Sequence, residues 1–424
     1  MRRRPAPPNL VKQSTGQIDA AAIREPMVRS TFCSEIRSAS HFGEDRAAFR
    51  PARRNRCRRE GVFEAQPECS CATGPRFDGA EGGRRVNFPY PVILCDVGGT
   101  NVRIAHAGEP DAPLEILGQV ETAAFAGLAE AIEAVLPQHA IAPCSVIACA
   151  AGPVSGRQVQ LTNAAWHIDG PAVAERLGLA QGLLLNDFEA QALALPALRE
   201  AWLTPIGPLS SHSAGMTVGM PADVRIILGP GTGLGVAALL ETGGHFTALA
   251  SETPHIDFGP VTDEESALWP HLERPYGRVT AESVMSGPGL VRLHKARLMA
   301  AGRDVAALDA IALVERANQD PAGEEAGTMA LFWRLIGRFA GDMALVFMAR
   351  GGVVLGGGIL PRILRLLDPQ DFRAAFEAKA PLEAVVRAIP TELVTAPQAV
   401  LAGMAAIAAA PDRYRLDYAR RKWR

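Results

Sequence analysis

No apolar run in this sequence reaches the roughly 18 to 20 uninterrupted residues that would span a bilayer. The richest candidate, residues 353–360, is short and interrupted by three consecutive glycines, so no membrane-crossing helix and no membrane partner are expected. Cysteine is scarce. Of seven, Cys33, Cys57, Cys69 and Cys71 lie in the first 85 residues, while Cys95, Cys144 and Cys149 sit inside apolar, strand-like runs. That distribution draws no disulfide framework, and Cys69-Ser70-Cys71 lacks the second, correctly spaced Cys/His pair of a zinc site. A reducing, cytoplasmic compartment is the simplest expectation. Net charge is small as well, at −2, but the value hides an asymmetry: 17 Lys+Arg against 10 Asp+Glu in residues 1–85, and 26 against 35 in the remainder. The acidic remainder argues against a nucleic-acid-binding body, which would need a basic face for phosphate, and favours a small-molecule substrate.

What is present is core. The chain is 48% hydrophobic over 424 residues, enough for two domains with interiors of their own. Residues 1–87 stand apart, rich in Arg, Pro, Ser and Gly and without a sustained helical or strand period, and are read as a disordered basic extension. A transit peptide is a second reading, against which the acidic residues count. An artificial extension upstream of a start near Val86 is a third.

Order begins after Phe88-Pro89-Tyr90-Pro91. The apolar run 92–95 reads as a buried strand, followed by Gly98-Gly99 and a second strand over 102–105, and hence as a hairpin. Further strands are expected at 145–151 and 183–185, a second strand-glycine-strand unit over 224–240, and a helix over 329–348. Strands and helices alternate throughout, which predicts an α/β fold. The two strand-glycine-strand units, Asp96-Val97-Gly98-Gly99-Thr100-Asn101 and Gly229-Pro230-Gly231-Thr232-Gly233-Leu234-Gly235, look like one device used twice. That suggests two related lobes facing one ligand.

A turn that presents backbone N–H groups to a phosphate has no room for Cβ atoms and often needs positive φ, so glycine fits on both counts. In the first unit Asp96 ends a strand, where its carboxylate can hold Mg²⁺ through water while Gly98, Gly99 and Thr100 approach phosphate; an ordinary hairpin turn is the plainer alternative. The second unit is no Walker loop, because no lysine follows its last glycine and it opens into a strand. A third cluster, Gly356-Gly357-Gly358, follows a strand and precedes Pro361, placed for the first turn of a helix. That junction suits either an adenosine or tight helix-to-sheet packing. Asn186 and Asp187 follow the strand at 183–185, at the carboxyl end of a sheet where α/β ligand sites form. Taken locally, catalysis and capping of the next helix are equal readings.

Six motifs, namely Asp96 to Asn101, Leu185-Asn186-Asp187-Phe188, Gly229 to Gly235, Glu252-Thr253-Pro254-His255-Ile256-Asp257-Phe258, Ala281-Glu282-Ser283-Val284-Met285-Ser286-Gly287-Pro288-Gly289 and Gly356 to Pro361, occur in an order and spacing that resemble the bacterial glucokinases. The resemblance runs from about residue 89 to about 410. It implies a two-lobed actin-like ATPase fold with ribonuclease-H-like sheets and an active-site cleft between a small domain (89–205 plus about 396–412) and a large one (206–395). It implies ATP-dependent phosphorylation of glucose at its 6-hydroxyl, the first step of glycolysis, with Mg²⁺. Sugar ligands would be Asn186, Asp187, Glu252, His255 and Glu282, with Asp187 as catalytic base. ATP contacts would come from Cys95, Asp96, Val97, Gly98, Gly99, Thr100, Asn101, Gly229, Gly231, Thr232, Gly233, Gly235, Gly357 and Gly358, Asp96 also serving the metal. The partners implied are glucose and ATP, with a homodimer admitted. Two departures are visible. Cys95 stands where a smaller residue is usual, and Thr253-Pro254 replaces a common glycine pair.

A hexose carries a ring of hydroxyls that donate and accept, so a selective site needs several acceptors on different loops; Glu252, His255 and Glu282 can supply them. Thr162-Asn163 with Trp166 is a further candidate sugar loop, Trp166 being the better fit to a core. Rival readings are a kinase for another hexose and a sugar-responsive regulator on the same fold. The regulator would need a helix-turn-helix, and the basic segment has neither the period nor the turn spacing for one.

Overall fold

The computed structural model describes residues 86–207, 224–304 and 307–424. The readings of residues 1–85 fall outside these. The described residues belong to one compact unit.

The strands in chain order are β1 (Val92–Val97), β2 (Asn101–Ala107), β3 (Glu115–Glu121), β4 (Ser145–Ala150), then β5 (Val154–Ser155), β6 (Gln158–Gln160) and β7 (His167–Asp169) of a small antiparallel sheet, and β8 (Gln181–Asn186). After them come β9 (Leu203–Pro205), β10 (Val224–Pro230), β11 (Leu234–Thr242), β12 (His245–Ser251), β13 (Gly352–Leu355) and β14 (Thr391–Val394). The first large sheet runs β3-β2-β1-β4-β8 and the second β12-β11-β10-β13-β14-β9. In each, a meander of three antiparallel strands is extended by two parallel ones, on β1 and on β10 respectively, with β9 added antiparallel at the far edge of the second. The duplication read from the glycine units is therefore a duplication of whole sheets, the paired ribonuclease-H-like arrangement of actin-like ATPases.

Central parallel strands are buried on both faces and read as continuous apolar runs, as Val-Ile-Leu-Cys does in β1. Alternation decides which layer each side chain enters. Ile93, Cys95 and Val97 point outward into a core shared with the Leu128–Val135 helix. Val92 and Leu94 point inward, as do Ile147 and Cys149 of β4 and Leu183 and Leu185 of β8. They meet Ile227, Ala237, Leu239 and Val354 of the second sheet across two helices, Asp187–Ala194 and Ala399–Ala409. Beyond the second sheet lies a third core, built on the 23-residue Glu324–Val346 helix with Phe332, Trp333, Ile336 and Phe339. That helix contains most of the expected 329–348 stretch. The expected helix after Gly358 is a 3-10 segment, Leu360–Leu366, with Pro361 in its first turn.

This layering positions the site. A residue at the carboxyl end of β1, β4 or β8 that faces inward arrives at the end of the middle layer, between the two sheets. Asp96 and Asp187 are the two acids that do so. Cys95 is 0% exposed and faces the outer core, so it can offer a nucleotide its backbone alone.

Candidate active site

Asp96 lies opposite Cys149 in the parallel β1–β4 pair, and Cys149 opposite Leu185 in β4–β8. Asp187, two residues beyond Leu185, continues the inward-facing row. The Cys149 thiol donates to Asp96 Oδ1 at 3.6 Å, and Arg103 Nη1 lies 3.1 Å from Asp96 Oδ2. Burial raises the Asp96 carboxyl above its ordinary range despite the opposing guanidinium. Burial also pushes Asp187 up, to about 6, with the Asp96 charge adding to it and the Phe188 amide and Asn186 side chain opposing it. Cys149 is pushed well above the usual thiol range by burial and by both carboxylates, so it remains a protonated donor.

The two local readings of Asn186-Asp187 divide between the two residues. Asn186 Oδ1 accepts from the Phe188 and Glu189 amides at 3.0 and 3.1 Å, its Nδ2 donates to Gly152 O at 3.1 Å, and Glu189 closes a capping box on the Asn186 N–H. The carbonyl is thus committed to the cap, and a sugar can use only the remaining amide hydrogen. Asp187, at the first helical position, lies outside the capping box.

The glycine turns converge. In the first, Gly98 N donates to Asn101 O at 2.9 Å and Gly98 O accepts from Thr122 Oγ1 at 2.8 Å, while the Gly99 and Thr100 amides meet no acceptor among the described residues. In the second, Gly231 N donates to Gly233 O at 2.7 Å and Gly287 N to Gly231 O at 2.8 Å, and the Thr232 and Gly233 amides are likewise open. Asn163, against which a Cβ on Gly99 would press at 3.1 Å, donates from Nδ2 to Thr232 Oγ1 at 3.2 Å. One side chain therefore joins the two turns. Its neighbour Trp166 is 4% exposed and donates to Phe125 O at 2.8 Å, a core residue.

The third cluster meets the second. A Cβ on Gly229 would overlap the Gly356 carbonyl and lie 2.8 Å from Gly357 N, and Gly357 itself has φ +83°. Close backbone approach is what excludes side chains here. Beside this junction a cavity of about 350 Å³ is lined by Asp96, Arg103, Gly356, Gly357, Gly358, Thr395 and Val400, among others. A larger hollow of about 480 Å³, by Tyr90, Arg199 and Trp202, lies toward the opposite end of β1 and holds none of the expected site residues.

The expected sugar residues form a chain of their own. Glu282, in the short Ala281–Val284 helix capped by Thr280, accepts the Leu234 N–H on Oε2 at 3.0 Å. Its Oε1 is 4.0 Å from His255 Nδ1, and His255 Nε2 is 3.5 Å from Glu252 Oε2. Exposure rises from 25% at Glu282 to 46% at His255 and 89% at Glu252, so the row runs outward to solvent. Thr253-Pro254 forms the 3-10 turn that carries His255, with Pro254 buried and Ser251 Oγ donating to Thr253 Oγ1 at 3.0 Å. The loop is stiff where a glycine pair would be loose. Phe188 packs over Gly235, which brings the helix of Asp187 against the strand whose Leu234 amide Glu282 holds.

Sequence reasoning missed Arg103 and Cys149. Arg103 was within reach, since a hairpin turning on Gly98-Gly99 sets it opposite Asp96. Cys149 was not, because its place depends on the parallel pairing of β4.

The glucokinase family model matches residues 93–411. The chain belongs to the glucokinase family. The glucokinase of Rhizobium meliloti (strain 1021) is 40% identical over 339 residues, 80% of this chain and 98% of that one. That of Brucella suis biovar 1 (strain 1330) is 40% identical over 343 residues, 80% and 96% of the two chains. Among solved structures, a glucokinase from an Antarctic psychrotroph superposes with a TM-score of 0.63 at 32% identity, covering 74% of this chain and 98% of its own. The chain is thus an enzyme, and its reaction is ATP-dependent phosphorylation of glucose. Among the described residues no helix is long and apolar enough to cross a membrane.

Proposed function

We propose that Asp187 is the general base that takes the proton of the glucose 6-hydroxyl as that oxygen attacks the γ-phosphorus of ATP, in the cytoplasm, with the cleft formed by residues 89–205 plus about 396–412 on one side and 206–395 on the other. The observation that carries this is the inward-facing row Asp96, Cys149, Asp187 at the end of the middle layer, beside the two open glycine turns. Phosphoryl transfer asks mainly for alignment and for relief of charge, with one base near the hydroxyl. A carboxyl moved to about 6 is still ionised at neutral pH and is a stronger proton acceptor than an ordinary aspartate.

The open amides of Gly99, Thr100, Thr232 and Gly233 are donors for phosphate oxygens, and the Gly356–Gly358 side of the cavity receives the adenosine. Glu282, His255 and Glu252 take sugar hydroxyls, with Asn186 giving its spare amide hydrogen. Asp96 suits Mg²⁺, a hard cation that prefers carboxylate and water oxygens: its inward-facing carboxylate lies near a second acid and is ion-paired to Arg103. When bound, Mg²⁺ supplies charge compensation to the phosphates. Cys149 and Arg103 each hold one oxygen of Asp96 and so fix the carboxylate plane. Closure of the cleft excludes water, which would otherwise compete for the phosphoryl group.

A coupled ADP-release assay against glucose, mannose, fructose and N-acetylglucosamine tests the assignment. Glucose is expected to exceed each of the others in kcat/KM by about tenfold or more, and a higher value for any of them would reassign the substrate. Glu282→Gln keeps an acceptor for Leu234 but loses the charge. It is expected to raise the KM for glucose about 10- to 100-fold, leaving the KM for ATP within about twofold. Equal rises in both would move Glu282 out of the sugar site.

A further inference from the structure

The residues after the family-matched stretch, which ends at 411, run back across both large sheets. Tyr414 bridges Phe246 on the β12 edge of the second sheet, where Arg415 N donates to Phe246 O at 2.8 Å and the two rings stand 5.4 Å apart. Lys422 bridges Leu183 on the β8 edge of the first sheet, and Trp423 N donates to Gly182 O at 2.9 Å. Trp423 is 2% exposed, in a socket where a Cβ on either Gly170 or Gly182 would overlap its indole. Gln181 brackets the segment, Oε1 accepting from the Trp423 and Arg424 amides at 3.1 and 3.2 Å and Nε2 donating to Arg424 O at 2.9 Å. Just before that socket, Arg421 Nη1 donates to both oxygens of Glu189 at 2.7 Å.

Glu189 is the residue whose side chain closes the capping box on Asn186. We propose that Arg421 is a positioning residue for phosphoryl transfer: the 414–424 segment is a strap that holds Glu189 in the capping box and so fixes Asp187 at the first turn of its helix. The Glu189 side chain is 11% exposed, and a carboxylate at that depth without its cation is strongly disfavoured. It would swing toward water, releasing the Asn186 N–H and loosening the turn that carries Asp187. Misplacement of a catalytic group by about 1 Å can cost two orders of magnitude in rate. The strap thus reaches the chemistry from outside the cleft. Glu282 and the first glycine turn are carried by elements the strap does not touch, whereas Glu252 follows β12, which the strap meets at Phe246.

The inference rests on Asp187 as base, so Asp187→Asn is assayed alongside. Arg421→Ala is expected to lower kcat about tenfold, with KM for ATP within about twofold, and to speed amide exchange at Phe188 and Glu189. Adding Glu189→Gln, which removes the stranded charge yet keeps an acceptor for the cap, is expected to return most of the lost kcat. If Arg421→Ala does not fold, Arg421→Lys carries the test, with an intermediate kcat expected and a value equal to the parent counting against the strap. A kcat for Arg421→Ala within twofold of the parent while Asp187→Asn is inactive, or a loss that Glu189→Gln does not relieve, overturns the strap and leaves the base assignment standing. An active Asp187→Asn overturns the base assignment itself, and the strap's catalytic role with it.

Discussion

Asparagine at position 187 is expected to lower kcat by roughly three orders of magnitude, within the range for loss of a general base, and at the same time to raise the melting temperature of the ligand-free protein. Both effects come from one carboxylate. Its folded pKa stands at about 6 against an ordinary 3.8, because burial disfavours the charged form and Asp96 repels it. The folded state therefore binds this proton more tightly than the unfolded state. The contribution to stability is fully present below about pH 4 and is lost as pH rises through about 6, leaving a cost of about 2 to 3 kcal/mol at pH 7.5. Asparagine does not bear that cost, so the melting temperature at pH 7.5 should rise by roughly 4 °C and the advantage should vanish near pH 4. In the parent enzyme kcat/KM should fall on the acid side with a midpoint near 6. Calorimetry at the two pH values and a coupled assay read the three outcomes. Retained turnover would remove Asp187 from the base role, and an unchanged melting temperature would remove the buried charge.

The second large effect is expected at Gly229. A methyl group there meets only backbone, the carbonyl of Gly356 and the nitrogen of Gly357 at 2.8 Å, and neither can move without parting the β10–β13 pair. Gly229→Ala is expected to cost about 3 kcal/mol of stability and to raise the KM for ATP more than about tenfold, because the two glycine clusters proposed to receive the nucleotide are displaced together. Gly231→Ala is the contrast. Nothing lies within 4 Å of a Cβ there, so denaturation should be unchanged, and any rise in KM for ATP reports crowding of the phosphates alone. A Gly229→Ala protein with the parent's unfolding midpoint would show that the packing yields more easily than its geometry implies.

Much of this architecture is legible in the sequence, for reasons that differ by element. The two hairpins declare themselves because apolar runs flank glycine-rich turns, and repetition of the device predicts repetition of the sheet. Asp187 is legible as a strand-end acid. What local sequence cannot decide is whether it or Asn186 serves the helix, since both are good caps; the capping box resolves this by pairing Asn186 with Glu189. Cys95, expected near the nucleotide, points its side chain into the outer core, as strand alternation from Asp96 dictates. Asn163, a candidate for the sugar loop, also bonds Thr232, a contact between turns that local sequence does not show. The 414–424 segment left no readable signal, because Arg421 and Trp423 lie in a short, polar stretch without period, and their partners are more than 200 residues away in sequence.

The thiol of Cys149, wedged against Asp96 in the middle layer, has a chemical consequence. Alkylating agents and peroxide react with the thiolate, and here burial and two flanking acids suppress ionisation. Sulfur beside the reacting groups is commonly a vulnerability. In this fold it is kept inert by burial and by two carboxylates, one of which it helps to orient, so iodoacetamide should leave the native enzyme active and mark this position only once the chain unfolds.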